Sequence, residues 1–209
     1  MGRAKSYSRD DIVRKAMNVF WRHGFDGAST HMLVAEMGVN RFSVYAEFGH
    51  KQALFEAALG LYEQEVVSRN LSGIEAEGAD LDAIQLLFDG FARWAGETRS
   101  EWGCFICNTA TEMAATHPIS QAVVNRYVTR LSAAFAHCLQ QAQAQDQLWP
   151  ETDVAKEGGF LATLLLGFFV QLRAKVPPAL IQASAQSVQA YLQRLTRPGR
   201  WQPKTNGAD

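Results

Sequence analysis

Cysteine is scarce in this 209-residue chain, with three in all, and an odd trio does not build a disulfide framework. Long apolar runs are missing too. The longest, 158–170, lies between charged ends and falls short of the ~20 residues of a bilayer span. The opening MGRAKSYSRDD carries basic residues without an apolar stretch behind them, so it does not read as a secretory signal. A cytoplasmic protein with no membrane partner is expected. No segment sustains period-two alternation, which leaves no strand to predict. Also absent are a glycine-rich phosphate cradle, a paired-carboxylate motif and any His set in a motif with a Cys. No enzyme and no cofactor are expected. His117 and the His137-Cys138 pair are too far apart to suggest a metal site, so none is assigned.

What is present suits a packed helical protein. Apolar residues make up 47% and charged residues 20%, enough for a sizeable core. The net charge of −1 hides an asymmetry: residues 1–55 hold eight Lys and Arg against five Asp and Glu, the remainder twelve against sixteen. A basic end on a near-neutral chain suggests a polyanion met by that end. Ser8 and Asp11 look like a capping box for a first helix, with Ile12, Val13, Ala16, Met17 and Phe20 in phase up to Gly24. Short helices follow at 30–37 and 41–48, bounded by Gly38 and Gly49, with Asn40 as N-cap of the second. Longer ones are read at 51–69, 80–98, 103–116, 119–142, 154–175 and 179–196, about nine in all. In the seventh, Ile119, Val123, Tyr127, Leu131, Phe135, Cys138, Leu139 and Ala142 form the cleanest stripe. The fold class is all-α, a three-helix unit followed by a six-helix body. Boundaries are placed at 1–50 and 51–197, with 198–209 as a mobile tail.

The informative segment is 29–54, STHMLVAEMGVNRFSVYAEFGHKQAL. Two short helices joined by Gly38-Val39-Asn40 need the first helix as a third wall, and such a unit can seat its last helix in a DNA major groove ~12 Å wide. Val44 and Phe48 would face the core. Phe42, Ser43 and Ala46, with Arg41 leading, would face the groove, and Thr30, Tyr45 and Lys51 would meet phosphates. Asn40 sits at the entry, and Arg3 and Lys5 could extend as an arm. The Gly24-Phe25 and Ser29-Thr30 entry, Val34-Ala35, Gly38-Val39, Ser43-Val44-Tyr45, Phe48, Lys51 and Ala53-Leu54-Phe55 together closely resemble the tetracycline-repressor (TetR) family. The resemblance covers about the first 60 residues. It implies a ligand-responsive regulator, a repressor by preference, that binds a pseudo-palindromic double-stranded DNA operator as a homodimer. Phe42 stands where relatives often carry a small residue or Pro, and His50 where Ser or Asp usually caps the next helix.

In the body, Leu161, Leu164, Leu165, Phe168, Phe169 and Leu172, with Val188 and Leu192, read as a dimer interface, because these are too many large groups for one half-buried helix to hide inside one subunit. The alternative is an innermost core helix. An effector cavity is expected among Tyr62, Phe88, Phe91, Trp94, Trp102, Cys104, Phe105, Asn108, Met113 and Tyr127, each of which could instead be plain core. The effector itself is an unknown small molecule, coupled to the DNA-reading unit through the fourth helix. Cys104 and Cys107 admit three readings: buried structural thiols, a redox or electrophile sensor of the same fold, or a metal site. A thiol-dependent enzyme on a helical scaffold is the remaining alternative.

Overall fold

A computed structural model describes residues 8–113 and 117–203. Among them the expected nine helices are present, the fourth being interrupted by a π turn. They are α1 (Arg9–Gly27), α2 (Thr30–Met37), α3 (Arg41–Phe48), α4 (Lys51–Tyr62) running through the π turn Glu63–Val67 into a last turn α5 (Ser68–Leu71), α6 (Leu81–Trp94), α7 (Phe105–Glu112), α8 (Pro118–Ala144), α9 (Val154–Arg173) and α10 (Pro178–Leu195). The chain forms two compact units. Residues 1–69 and 104–125 belong to the first, and 70–103 and 126–209 to the second. The first unit therefore runs past the expected boundary at 50 and takes in α4 and α7.

Aromatic packing explains that extent. Phe55 of α4 meets Phe20 edge-on at 5.0 Å, Phe25 at 5.1 Å and Phe105 of α7 at 5.3 Å, and Tyr62 meets Trp21 at 4.9 Å and Phe105 at 5.6 Å. Edge-to-face pairs at such spacing are worth about 0.5–1.5 kcal/mol each beyond the area they bury. The first three helices alone could not hide Phe20, which is fully buried.

The second unit is built around α6, α8, α9 and α10. Phe88 packs on Phe135 and on Phe168, and Phe91 on Phe169 at 4.8 Å. This corrects the expected dimer surface. Leu161, Leu165, Phe168, Phe169, Leu172, Val188 and Leu192 are buried inside one protomer, and only Leu164 keeps part of its surface. A side chain already covered by its own chain has no area left for a second copy. The close approach that hides them uses Gly158, where a β-carbon would come within 2.7 Å of the Ala136 backbone nitrogen. The α9 helix spans 20 residues and has a mean hydropathy of 1.3 over its most apolar window, enough by length and composition to cross a bilayer. One third of that window is buried, on the face turned into the second unit.

Other departures are local. Ile119 is exposed, so the α8 stripe is buried only from Tyr127 onward. The expected mobile tail is anchored over its described part: the buried Trp201 indole donates to Asp82 at 2.9 Å, and Arg197 and Arg200 both pair with Asp146.

Candidate nucleic-acid interface

Each helix of the DNA-reading candidate begins at a side-chain cap, two of them, Ser8 and Asn40, expected from sequence. Ser8 accepts the Asp11 N–H at 3.1 Å, Ser29 that of Met32 at 3.2 Å, and Asn40 Oδ1 that of Ser43 at 2.8 Å. Such caps contribute about 1 kcal/mol apiece. His50 also caps: its Nδ1 accepts the Ala53 N–H at 3.1 Å, so the ring does the work of the usual Ser or Asp. Gly38, at φ 69, ends α2 in the left-handed region and turns the chain toward α3.

Burial sorts the side chains of α3. Val44 and Phe48 are buried, as their four-residue spacing predicts, while Arg41, Phe42, Ala46 and Glu47 are exposed and Ser43 and Tyr45 half-buried. Phe42 is 84% exposed, so its ring does not pack on its own protomer. The structure brings Thr30 and Tyr45 together, with their hydroxyls 3.1 Å apart, and lays the Arg41 guanidinium over the Tyr45 ring at 5.4 Å. Lys51 sits over the Phe25 ring at 4.6 Å. Cation–π contact holds both cations in place while leaving their N–H groups able to donate elsewhere. Asn40 is exposed but commits its side-chain oxygen to the cap. Arg3 and Lys5 lie outside the described residues.

Several contributors escape sequence reading. Arg9 lies over Phe48 at 5.2 Å and 3.9 Å from Glu47, bracing the end of α3 from the start of α1. Lys15 donates to the Met37 carbonyl at 3.3 Å, satisfying the C-terminus of α2. Both contacts span more than twenty residues, and no local spacing signals them.

The candidate effector residues divide between the units. Tyr62, Cys104, Phe105, Asn108 and Met113 belong to the first, and Phe88, Phe91, Trp94, Trp102 and Tyr127 to the second. Trp94, Trp102 and Asn108 are half-buried and the other seven are buried. Cys104 is the N-cap of α7 with extended backbone, φ −103 and ψ 126, rather than a residue within the helix. Its side chain lies close enough to Cys107 to bear on that thiol. The Cys107 thiol is pushed well up by the neighbouring Cys104 side chain and by burial. The Tyr62 hydroxyl is raised by burial and by Cys104.

Two family models match this chain. Residues 12–58 fit the bacterial regulatory proteins of the tetR family, and 81–191 fit the tetracyclin repressor-like C-terminal domain. The second alone spans more than half of the chain. The chain belongs to the TetR family. It is 28% identical over 176 residues to the HTH-type transcriptional repressor ComR of Escherichia coli, covering 82% of each chain. Among solved structures it resembles a cysteine-substituted TetR-family regulator, CifR, in complex with 26-bp double-strand operator DNA, with a TM-score of 0.76 and 24% identity over 94% of this chain and 100% of that one. A TetR regulator from Chloroflexus aurantiacus gives a TM-score of 0.80 at 22% identity, over 90% and 96%. These likenesses agree with the helix-by-helix reading of the first unit and extend it to a body whose sequence carried little family signal.

Proposed function

We propose that this TetR-family chain is a cytoplasmic transcription repressor that reads a pseudo-palindromic operator as a homodimer and is released by a small-molecule effector. One observation carries the reading: α3 is anchored inward by Val44 and Phe48 while Arg41, the 84%-exposed Phe42 and Ala46 are exposed to solvent on its other side. A phenyl ring left in water by its own fold has a use against a thymine methyl. Thr30, Tyr45 and Lys51 meet the flanking phosphates, and Asn40 and Ser43 shape the entry of the helix. Two copies of α3 about 34 Å apart would enter successive major grooves on one face of the duplex.

The dimer reading moves from the buried face of α9 to its outer one. Phe160 and Val170 on α9 are 44% and 57% exposed, Leu180 on α10 is 59%, and Gly159 and Gly167 add little bulk on α9. Phe160 packs against Tyr191 of α10 at 5.0 Å, so the two helices offer one surface of the second unit to a partner copy. The effector binds in the helical body, and its differential affinity for the two conformations sets how far it can shift them.

Selection of a random duplex library on the purified protein tests the reading. A two-fold symmetric site should emerge, bound with a steep salt dependence. Indifference to every duplex at low ionic strength would sink it. Titration with candidate effectors, followed through Trp94 and Trp102 fluorescence, tests release.

The adjacent thiols of Cys104 and Cys107 favour a second reading, a redox-responsive repressor in which a local opening first frees the pair from the burial that keeps Cys107 protonated. A peroxide would oxidise one thiol to a sulfenic acid, releasing one water. The other thiol would then displace a second water as the disulfide forms. Loss of operator binding on peroxide treatment, reversed by a dithiol and abolished by Cys104→Ala, is the expected behaviour. Full binding by the oxidised protein would remove this reading and leave the first intact.

A further inference from the structure

The most unusual backbone in the DNA-reading unit lies at Gly24, inside α1. There φ is 74 and ψ 179, so the helical ladder breaks and one further turn carries the chain to Gly27. The first amides of a turn that follows such a break lack carbonyls behind them. Glu112, the last residue of α7, supplies what is missing. Its Oε2 accepts the Phe25 N–H at 3.0 Å and its Oε1 the Asp26 N–H at 2.9 Å. Glycine at 24 serves both purposes. It tolerates the positive φ, and a β-carbon there would stand 2.5 Å from Glu112 Oε2.

What Glu112 holds leads directly to the proposed phosphate contacts. Phe25 carries the Lys51 ammonium on its ring and packs on Phe55. Three residues beyond Asp26 comes Ser29, the cap of α2, and then Thr30, which bonds Tyr45. At its other end α7 is seated by Phe105 on Phe55 and Tyr62. We infer that Glu112 is a positioning residue for operator binding, a latch through which the placement of α7 sets the segment 25–30 and with it Lys51, Thr30 and Tyr45. A shift of α7 by ~1 Å would strain both bonds, since N–H···O contacts favour about 2.7 to 3.2 Å. The inference rests on the DNA-binding reading, with the wild-type chain as its control.

Charge gives the test its sign. Removing a carboxylate from a DNA-facing unit, on electrostatic grounds alone, strengthens attraction to a polyanion. The latch predicts the opposite. Full-length Glu112→Gln should bind the selected operator about tenfold more weakly than wild type, with a melting temperature within a few degrees of it. In the same protein the Phe25 and Asp26 amides should exchange hydrogen about tenfold faster, while the Leu33 amide within α2 is unchanged. Binding equal to or tighter than wild type, or unaltered exchange at 25 and 26, overturns the inference. Should Glu112→Gln not fold, Glu112→Asp keeps the charge but sets it one methylene short of the amides, and the same losses are expected. If the wild-type chain itself ignores DNA, the DNA-binding reading fails instead, and the exchange measurement still judges the latch bonds.

Discussion

At the scale of single residues, contacts to bases and to phosphates should separate. Lys51→Ala removes a cation from the backbone contacts, so binding should weaken by a similar factor on every operator, and the salt slope should fall by about one. Phe42→Ala removes an exposed ring with no partner in its own chain, so folding stability should change by less than about 0.5 kcal/mol while the order of preferred operators shifts. Competition binding over a panel of operator variants checks both. A uniform loss in both variants would erase the division of roles. The thiols make a different case. Burial pushes Cys138 up to about 12, so its thiolate is scarce at neutral pH. Native-state alkylation should spare it at pH 7 and label it fully once the chain is unfolded.

At the scale of elements, the caps and glycine stops were legible, because each acts over three or four residues. Asn40 and Gly38 mark the turn by chemistry that needs no neighbour beyond the next helical turn. The end of α1 was not legible. Gly24 reads as a stop, yet the chain resumes a further turn because Glu112, 87 residues beyond Phe25, satisfies its amides. The π turn after α4 was likewise invisible. There Arg14 of α1 binds Glu65, whose carboxyl is held below its ordinary range chiefly by that hydrogen bond. A carboxylate with a depressed pKa stabilises the fold above its unfolded value, and the contribution is lost as pH falls through the folded value. Glu65→Gln should therefore lower the melting temperature slightly at pH 7, with the difference from wild type vanishing in the acid range below pH 4. Parallel thermal melts across pH would show it, and a pH-independent difference would assign the effect to packing.

At the scale of the whole molecule, assembly is where sequence and structure diverge. Leu165→Glu places a charge inside the second unit and should unfold the protomer rather than split a dimer. Phe160→Glu with Val170→Glu lies on the outer face of α9 and should yield folded monomers with little operator affinity. Light scattering beside circular dichroism distinguishes the outcomes, and an intact dimer in the double variant would move the interface elsewhere. The Trp201 anchor belongs to this scale too, since its hydrogen bond to Asp82 joins residues 119 apart.

The amino-acid order alone determined the all-α class, the number and order of the helices, and the side of α3 that faces outward. All of these follow from periodicity and capping, which operate within a few residues. Only the tertiary structure decided which apolar faces meet inside one chain. Phe168 and Phe169 look the same in sequence whether they cover α6 or a second copy, because the hydrophobic effect rewards removal from water without naming the partner. The same holds for Glu112, whose carboxylate finds its amides through the packing of α7 on α1, a contact that helical spacing cannot encode.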